Sequence, residues 1–181
     1  MTRVITTFAG ACTLFLGACA GMPGSSMVPI DNAALPAAVR VPAGEMQKMW
    51  TVGSGEITYE CREKKDMAGQ HEWAFVGPVA SLKDSGGKVV GRYYGGPTWE
   101  SLDGSKVTAK QVAVAPQPAP NLPLQLVKAD PATGMGAMQG VTYIQRLNTR
   151  GGVAPAAACA AANIGAKQQV AYQADYVFYG R

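Results

Sequence analysis

Along much of this chain the apolar residues fall on every second position, and that spacing rules out most architectures. The stretch VAYQADYVFY near the C-terminus puts Val170, Tyr172, Ala174, Tyr176 and Phe178 on one side, with Gln173, Asp175 and Val177 on the other. Two is the period of a pleated strand, whereas an amphipathic helix repeats its apolar face every three or four positions. The stretch EITYECR does the same, with Ile57, Tyr59 and Cys61 opposite Thr58, Glu60 and Arg62. EWAFVGP brings Trp73 and Phe75 together, and GVTYIQRL puts Val141, Tyr143 and Gln145 on one face. KVVGRYY and KVTAKQVAVA each follow a turn sequence, Asp84-Ser85-Gly86-Gly87 and Asp103-Gly104-Ser105.

These runs recur roughly every 10–15 residues with Gly, Pro, Asn or Asp between them, which suits an antiparallel β-sandwich or barrel-like domain. The 22 glycines and 12 prolines leave little room for long helices, while 48% apolar residues are enough for a core. One short helix at most is expected, in PAAACAAANIGA (Pro155 to Ala166), with proline at its start and Gly165 past its end. The proline-rich APQPAPNLP (Ala115 to Pro123) should leave the sheet or run along an edge, since proline donates nothing to a ladder.

The first residues read as an export leader, a signal helix preceding the β domain. Thr2-Arg3 is a short positive region, and Val4 to Leu16 is an apolar run of 13 residues. That fits a secretory signal of roughly 7–15 apolar residues and falls short of the ~20 that span a bilayer. Leu16-Gly17-Ala18-Cys19 resembles the bacterial lipobox, in which the cysteine receives diacylglycerol; the alternative is ordinary cleavage near Ala18 or Ala20. Residues 1–18 are therefore read as leader, 19–37 as a flexible tether and 38–181 as one domain. Ala20, where retention at the inner membrane would call for Asp, favours the outer membrane by resemblance to the Gram-negative sorting rule. The expected setting is a lipid-anchored envelope protein facing the periplasm.

Cysteine parity agrees. With Cys12 in the leader and Cys19 acylated, Cys61 and Cys159 remain as a pair in an oxidising compartment, and a disulfide between them is expected rather than two buried thiols. Their Cα atoms should then lie about 4.4–6.8 Å apart.

Several motifs in order resemble those of a bacterial and fungal family, the domain of unknown function 3455. They are VPAG (Val41 to Gly44), YECR (Tyr59 to Arg62), EWAFVGP (Glu72 to Pro78), GGPTWESLDGSKV (Gly95 to Val107), GVTYIQRLNTRGG (Gly140 to Gly152), Cys159 and YQADYVFY (Tyr172 to Tyr179). The resemblance implies a secreted β domain and brings no chemistry with it. Two departures stand out. Many members carry a histidine where this chain has Tyr93, and a tryptophan often follows the proline where Leu124 follows Pro123.

Read for chemistry, the residues exclude more than they nominate. The net charge of +4 is scattered, with no Lys/Arg run to hold a nucleic acid. His71 is the single histidine and reads as a loop residue, so no metal or other cofactor is expected. There is no GxSxG, and Ser105 reads as part of an Asx-turn. Gly151-Gly152 lacks the Lys-Ser/Thr of a phosphate loop and reads as a turn. Glu100 and Asp103 could serve as paired carboxylates in an extracytoplasmic hydrolase, but such a pair must flank a cleft, and each also reads as a strand end or a turn former. Tyr93, Tyr94 and Trp99 beside Gly95-Gly96-Pro97 form either a packed structural corner, the preferred reading, or the lip of a cleft for a glycan or peptide. The binding candidates are thus Tyr93, Tyr94, Trp99, Glu100 and Asp103. The expected function is a non-enzymatic binding or structural module for a glycan, a peptide or an envelope partner.

Overall fold

The computed structural model describes Met27 and residues 29–181; the leader, its signal helix and Cys19 lie outside the described residues. Within them the chain runs up and down through β1 (Met46–Glu63), β2 (His71–Lys83), β3 (Val89–Tyr94), β4 (Thr98–Ser101), β5 (Lys106–Ala115), β6 (Leu124–Ala129), β7 (Val141–Gly151) and β8 (Lys167–Gly180). Each strand pairs antiparallel with the next, and β8 returns to β1 from Met46↔Gly180 to Glu60↔Lys167, closing a barrel. Closure decides between the barrel and the sandwich, because every described strand pairs on both sides along at least part of its length.

The alternation sorts side chains inward and outward. Ile57 and Tyr59 of β1, Ala80 and Leu82 of β2, Val107 and Ala109 of β5, and Tyr172, Ala174, Tyr176 and Phe178 of β8 fill the interior. Gly53 makes this filling possible, because a side chain there would meet the Tyr176 ring at 2.5 Å. Charged residues such as Glu60, Arg62, Arg92, Glu100 and Lys110 sit on the outer face. This polarity is the reverse of a lipid-facing barrel.

One outer face is apolar and covered. Ala115, Leu124, Leu126, Leu147, Val177 and Tyr179 form a second cluster outside the barrel, and Val39 and Val41 pack on it with Ile30 and Leu35 alongside. Gln145 locks this covering in place. Its amide nitrogen donates to the Val39 carbonyl at 2.6 Å and to Asn32 Oδ1 at 3.2 Å, and its oxygen accepts from Tyr179 Oη at 2.8 Å. Asn32 in turn bonds Val41 in both directions at 3.0 Å. From Ile30 onward, then, the stretch read as tether up to residue 37 is attached to the barrel through Ile30, Asn32 and Leu35, while Ala33, Ala34, Pro36 and Ala37 stay exposed.

Several local expectations are met and others corrected. The Pro155 to Ala166 stretch holds a single 3-10 turn, Ala161–Asn163, and the proline-rich segment leaves the sheet between β5 and β6. Cys61 and Cys159 are bonded, with Cα atoms 5.5 Å apart. His71 opens β2 opposite Glu63 instead of lying in a loop. Val141, Tyr143 and Gln145 do not share a face: the β7–β8 register shifts between Val141 and Tyr143, so Val141 points inward while Tyr143 and Gln145 point outward. A single extra residue in one strand reverses every side chain beyond it.

Candidate functional site

Four of the five residues nominated from the sequence sit on the β3–β4 hairpin and Asp103 in the β4–β5 turn that follows, but they do not form one site. Gly95-Gly96-Pro97 makes the turn, with Gly96 at φ +91°, a left-handed conformation that suits glycine. Tyr93 and Trp99, paired across the hairpin, both face inward. Trp99 is 1% exposed and Tyr93 7%. Their rings stack with centroids 4.7 Å apart, and Tyr176 completes the group at 5.0 Å from Tyr93 and 5.6 Å from Trp99. These aromatics plug the middle of the barrel, so Trp99 is core and offers no surface to a ligand.

Tyr94 and Glu100 occupy the outer face of the same hairpin. Tyr94 Oη donates to Glu100 Oε2 at 2.6 Å, and Arg92 Nη2 donates to Oε1 at 2.9 Å. The Tyr94 hydroxyl and then the Arg92 guanidinium hold the Glu100 carboxyl below its usual range. Asp103 is a staple within the turn. Its Oδ1 accepts from both the hydroxyl and the backbone N–H of Ser105, and its Oδ2 accepts from Ala137 N–H at 2.8 Å. With the Ser105 hydroxyl as the largest cause, its carboxyl is lowered to about 2. Both carboxylates are ionised at neutral pH and engaged by neighbours, so neither supplies the protonated acid that glycoside hydrolysis requires.

The open site lies next to this hairpin, at the barrel end where β1 finishes and β8 begins. Phe75, Pro78, Tyr93, Pro97, Gln111, Gln125 and Arg146 line a depression of about 300 Å³. A narrower space of about 40 Å³ shares Phe75, Pro78, Tyr93 and Arg146 and reaches Ile57, Tyr172 and Tyr176. Phe75 stays 57% exposed at the lip, edge-on to Tyr59 with ring centroids 6.0 Å apart. Gln125 donates to Gln111 at 2.7 Å across the β5–β6 pair.

Arg146 gives this depression its charge. It comes from the inward face of β7, beside Ile144, and is partly buried. Its guanidinium donates to the Pro123 carbonyl, from Nη2 at 3.0 Å and from Nε at 3.3 Å. Among the described residues no carboxylate pairs with it. Burial raises the hydroxyl pKa of Tyr59, Tyr93, Tyr172 and Tyr176, and the Arg146 charge works against that rise in each case. A planar cation with free donors, set among aromatic rings and short of a counter-charge, is an arrangement suited to binding an anion. Among the described residues no group of three or more His, Cys, Asp or Glu is placed to hold a metal ion.

The family described as "Protein of unknown function (DUF3455)" matches residues 42–180. The chain belongs to this family. No curated protein and no solved structure matches the chain. The family match takes in all eight strands, the disulfide and the Arg146 depression, and begins just after Val41, which ends the covering of the outer face. The two departures fall in well-packed places: Tyr93 is in the aromatic plug and Leu124 in the outer apolar cluster.

Sequence reading missed Arg146 and Phe75 as site residues. The bulge in β7 hid Arg146, because unbroken alternation from Val141 sends it outward. The available signal was a charged residue next in sequence to strand positions that must be buried, a conflict that often marks function.

Proposed function

We propose that this protein is a lipid-anchored module of the cell envelope that binds, without chemical turnover, a small carboxylate-bearing ligand at the Arg146 depression. The lipobox-like leader supports the anchor, and the compartment follows from it. The binding reading rests on one observation: Arg146 is partly buried in an aromatic mouth and has no acidic partner among the described residues. A carboxylate can meet a guanidinium through two parallel hydrogen bonds. Phe75, Pro78 and Pro97 offer apolar faces for the flat side of a sugar ring or an arene, and Gln111 and Gln125 offer amides at the rim. A uronic acid or an aromatic acid has this combination of features; of the glycan, peptide and protein partners considered, an acidic glycan unit fits best.

Titration calorimetry with galacturonate and benzoate, against the neutral galactose and benzamide, tests the reading. The acids should bind more tightly than their neutral counterparts, and Arg146→Gln should weaken them by about 10-fold or more, the worth of a hydrogen bond to a charged group. Equal binding of acid and neutral pairs, or binding indifferent to Arg146→Gln, refutes it.

A further inference from the structure

The opposite end of the barrel is also open, and its chemistry is different. β1 runs past β2 there: Met46 to Thr51 pair with β8, while the β2 pairing begins only at Val52↔Lys83. The β2–β3 turn falls short of this overhang and leaves a cavity of about 470 Å³. Met49, Trp50, Leu82, Val90 and Met138 give it an apolar wall, with the described Met27 at its margin. The volume lies within the roughly 300–1,000 Å³ typical of small-molecule sites. Methionine, unbranched and polarisable, adapts to irregular ligands. The aromatic plug of Tyr93, Trp99 and Tyr176 stands between this cavity and the Arg146 depression.

One polar atom in this lining lacks a partner. Thr51 is 0% exposed, and its Oγ1 makes no hydrogen bond. It lies two residues before the inward-facing Gly53, on the same face of β1. Native proteins seldom leave a buried donor unpaired, because the group then loses its bonds to water and gains none in return. The charged groups nearby are engaged: Lys48 Nζ donates to the Gln139 carbonyl, and Asp84 Oδ1 accepts from Gly86 and Lys88 within its own turn. The cavity therefore presents an apolar wall and a free hydroxyl, with its charged groups satisfied.

We propose that this cavity is a second binding site, one that takes a neutral, mostly apolar molecule with a carbonyl oxygen that accepts a hydrogen bond from Thr51. The site is independent of the Arg146 depression and of the reading given to it.

The test uses a neutral dialkylaminonaphthyl ketone, whose emission shifts to the blue on leaving water, and the matching naphthylamine without the carbonyl. The ketone should bind the full mature protein saturably and more tightly than the naphthylamine. Thr51→Val, close in shape and lacking only an unpaired hydroxyl, should weaken the ketone about 3- to 10-fold and leave the naphthylamine unmoved. Val90→Trp, which fills the cavity, should abolish both. Excess benzoate should displace neither. Four results would overturn the proposal: no saturable binding of the ketone, equal affinity for the two probes in the unaltered protein, a ketone affinity unmoved by Thr51→Val, or displacement by benzoate. If Val90→Trp fails to fold, Thr51→Val still decides the matter, because its expected effect is confined to one of the two probes.

Discussion

The rings of Tyr93 and Trp99 stack across the β3–β4 hairpin at 4.7 Å, inclined by 26°, and the contact is buried at the centre of the barrel. The Gly-Gly-Pro turn beside them brings the two strands round so that both rings enter the core. Trp99→Ala should therefore destabilise by roughly 3–5 kcal/mol, as for other buried large aromatics. Trp99→Phe should cost much less, since the indole Nε1 has no partner to lose. Thermal melts of the two variants check this, and a melting temperature unchanged by Trp99→Ala would contradict the packing.

Asp103 couples the β4–β5 turn to the loop at Ala137 through Ser105 and two backbone N–H groups. Its carboxyl is lowered from the ordinary 3.8 to about 2, so its contribution is present above the unfolded value and lost as pH falls through the folded one. Asp103→Asn should melt below the unaltered protein at neutral pH. The gap should narrow as pH drops from about 4 to about 2. A pH series of paired melts measures it; a gap that stays constant across that window would mean the staple acts by shape and not by charge.

Gln145 is 0% exposed and bonds Val39, Asn32 and Tyr179 at once. Gln145→Leu keeps most of the volume but strands those partners, at roughly 1–3 kcal/mol for each buried group left unsatisfied. The covering segment should loosen first, because Gln145 is its deepest polar attachment. Limited proteolysis should then cut between residues 30 and 45 while the barrel survives, and mass spectrometry of the fragments locates the cut. An unchanged digestion pattern would assign the attachment to Val39 and Val41 alone.

The leader sequence carries its own expectation. Mass spectrometry of the mature N-terminus should find a diacylated or triacylated Cys19, and Cys19→Ser should free the protein from the membrane or stall its processing. Each buried CH₂ of an acyl chain contributes about 0.8 kcal/mol, so losing the chains removes the attachment. A mature chain beginning at any other residue, without lipid, would exclude the anchor.

Period-two spacing was enough to name the class of fold, because the pleat repeats every two residues whatever the strand pairs with. It placed Tyr172, Ala174, Tyr176 and Phe178 on one face, and they line the barrel interior. Compartment and parity were enough to pair Cys61 with Cys159, and turn chemistry was enough to assign Asp103 to a turn with Ser105. The rest needed long-range contacts. Whether β8 closes on β1 depends on accumulated twist and stagger around eight strands, which no short window contains. Whether Arg146 faces the interior or the solvent depends on one bulge in β7, and a bulge is set by the partner strand's register. The packing of Ile30 to Val41 depends on an outer apolar patch drawn from β5 to β8, whose members become neighbours only once the barrel has formed. Local spacing therefore determined which residues are strand and turn in this protein, and closure of the barrel decided which of them meet at its two open ends.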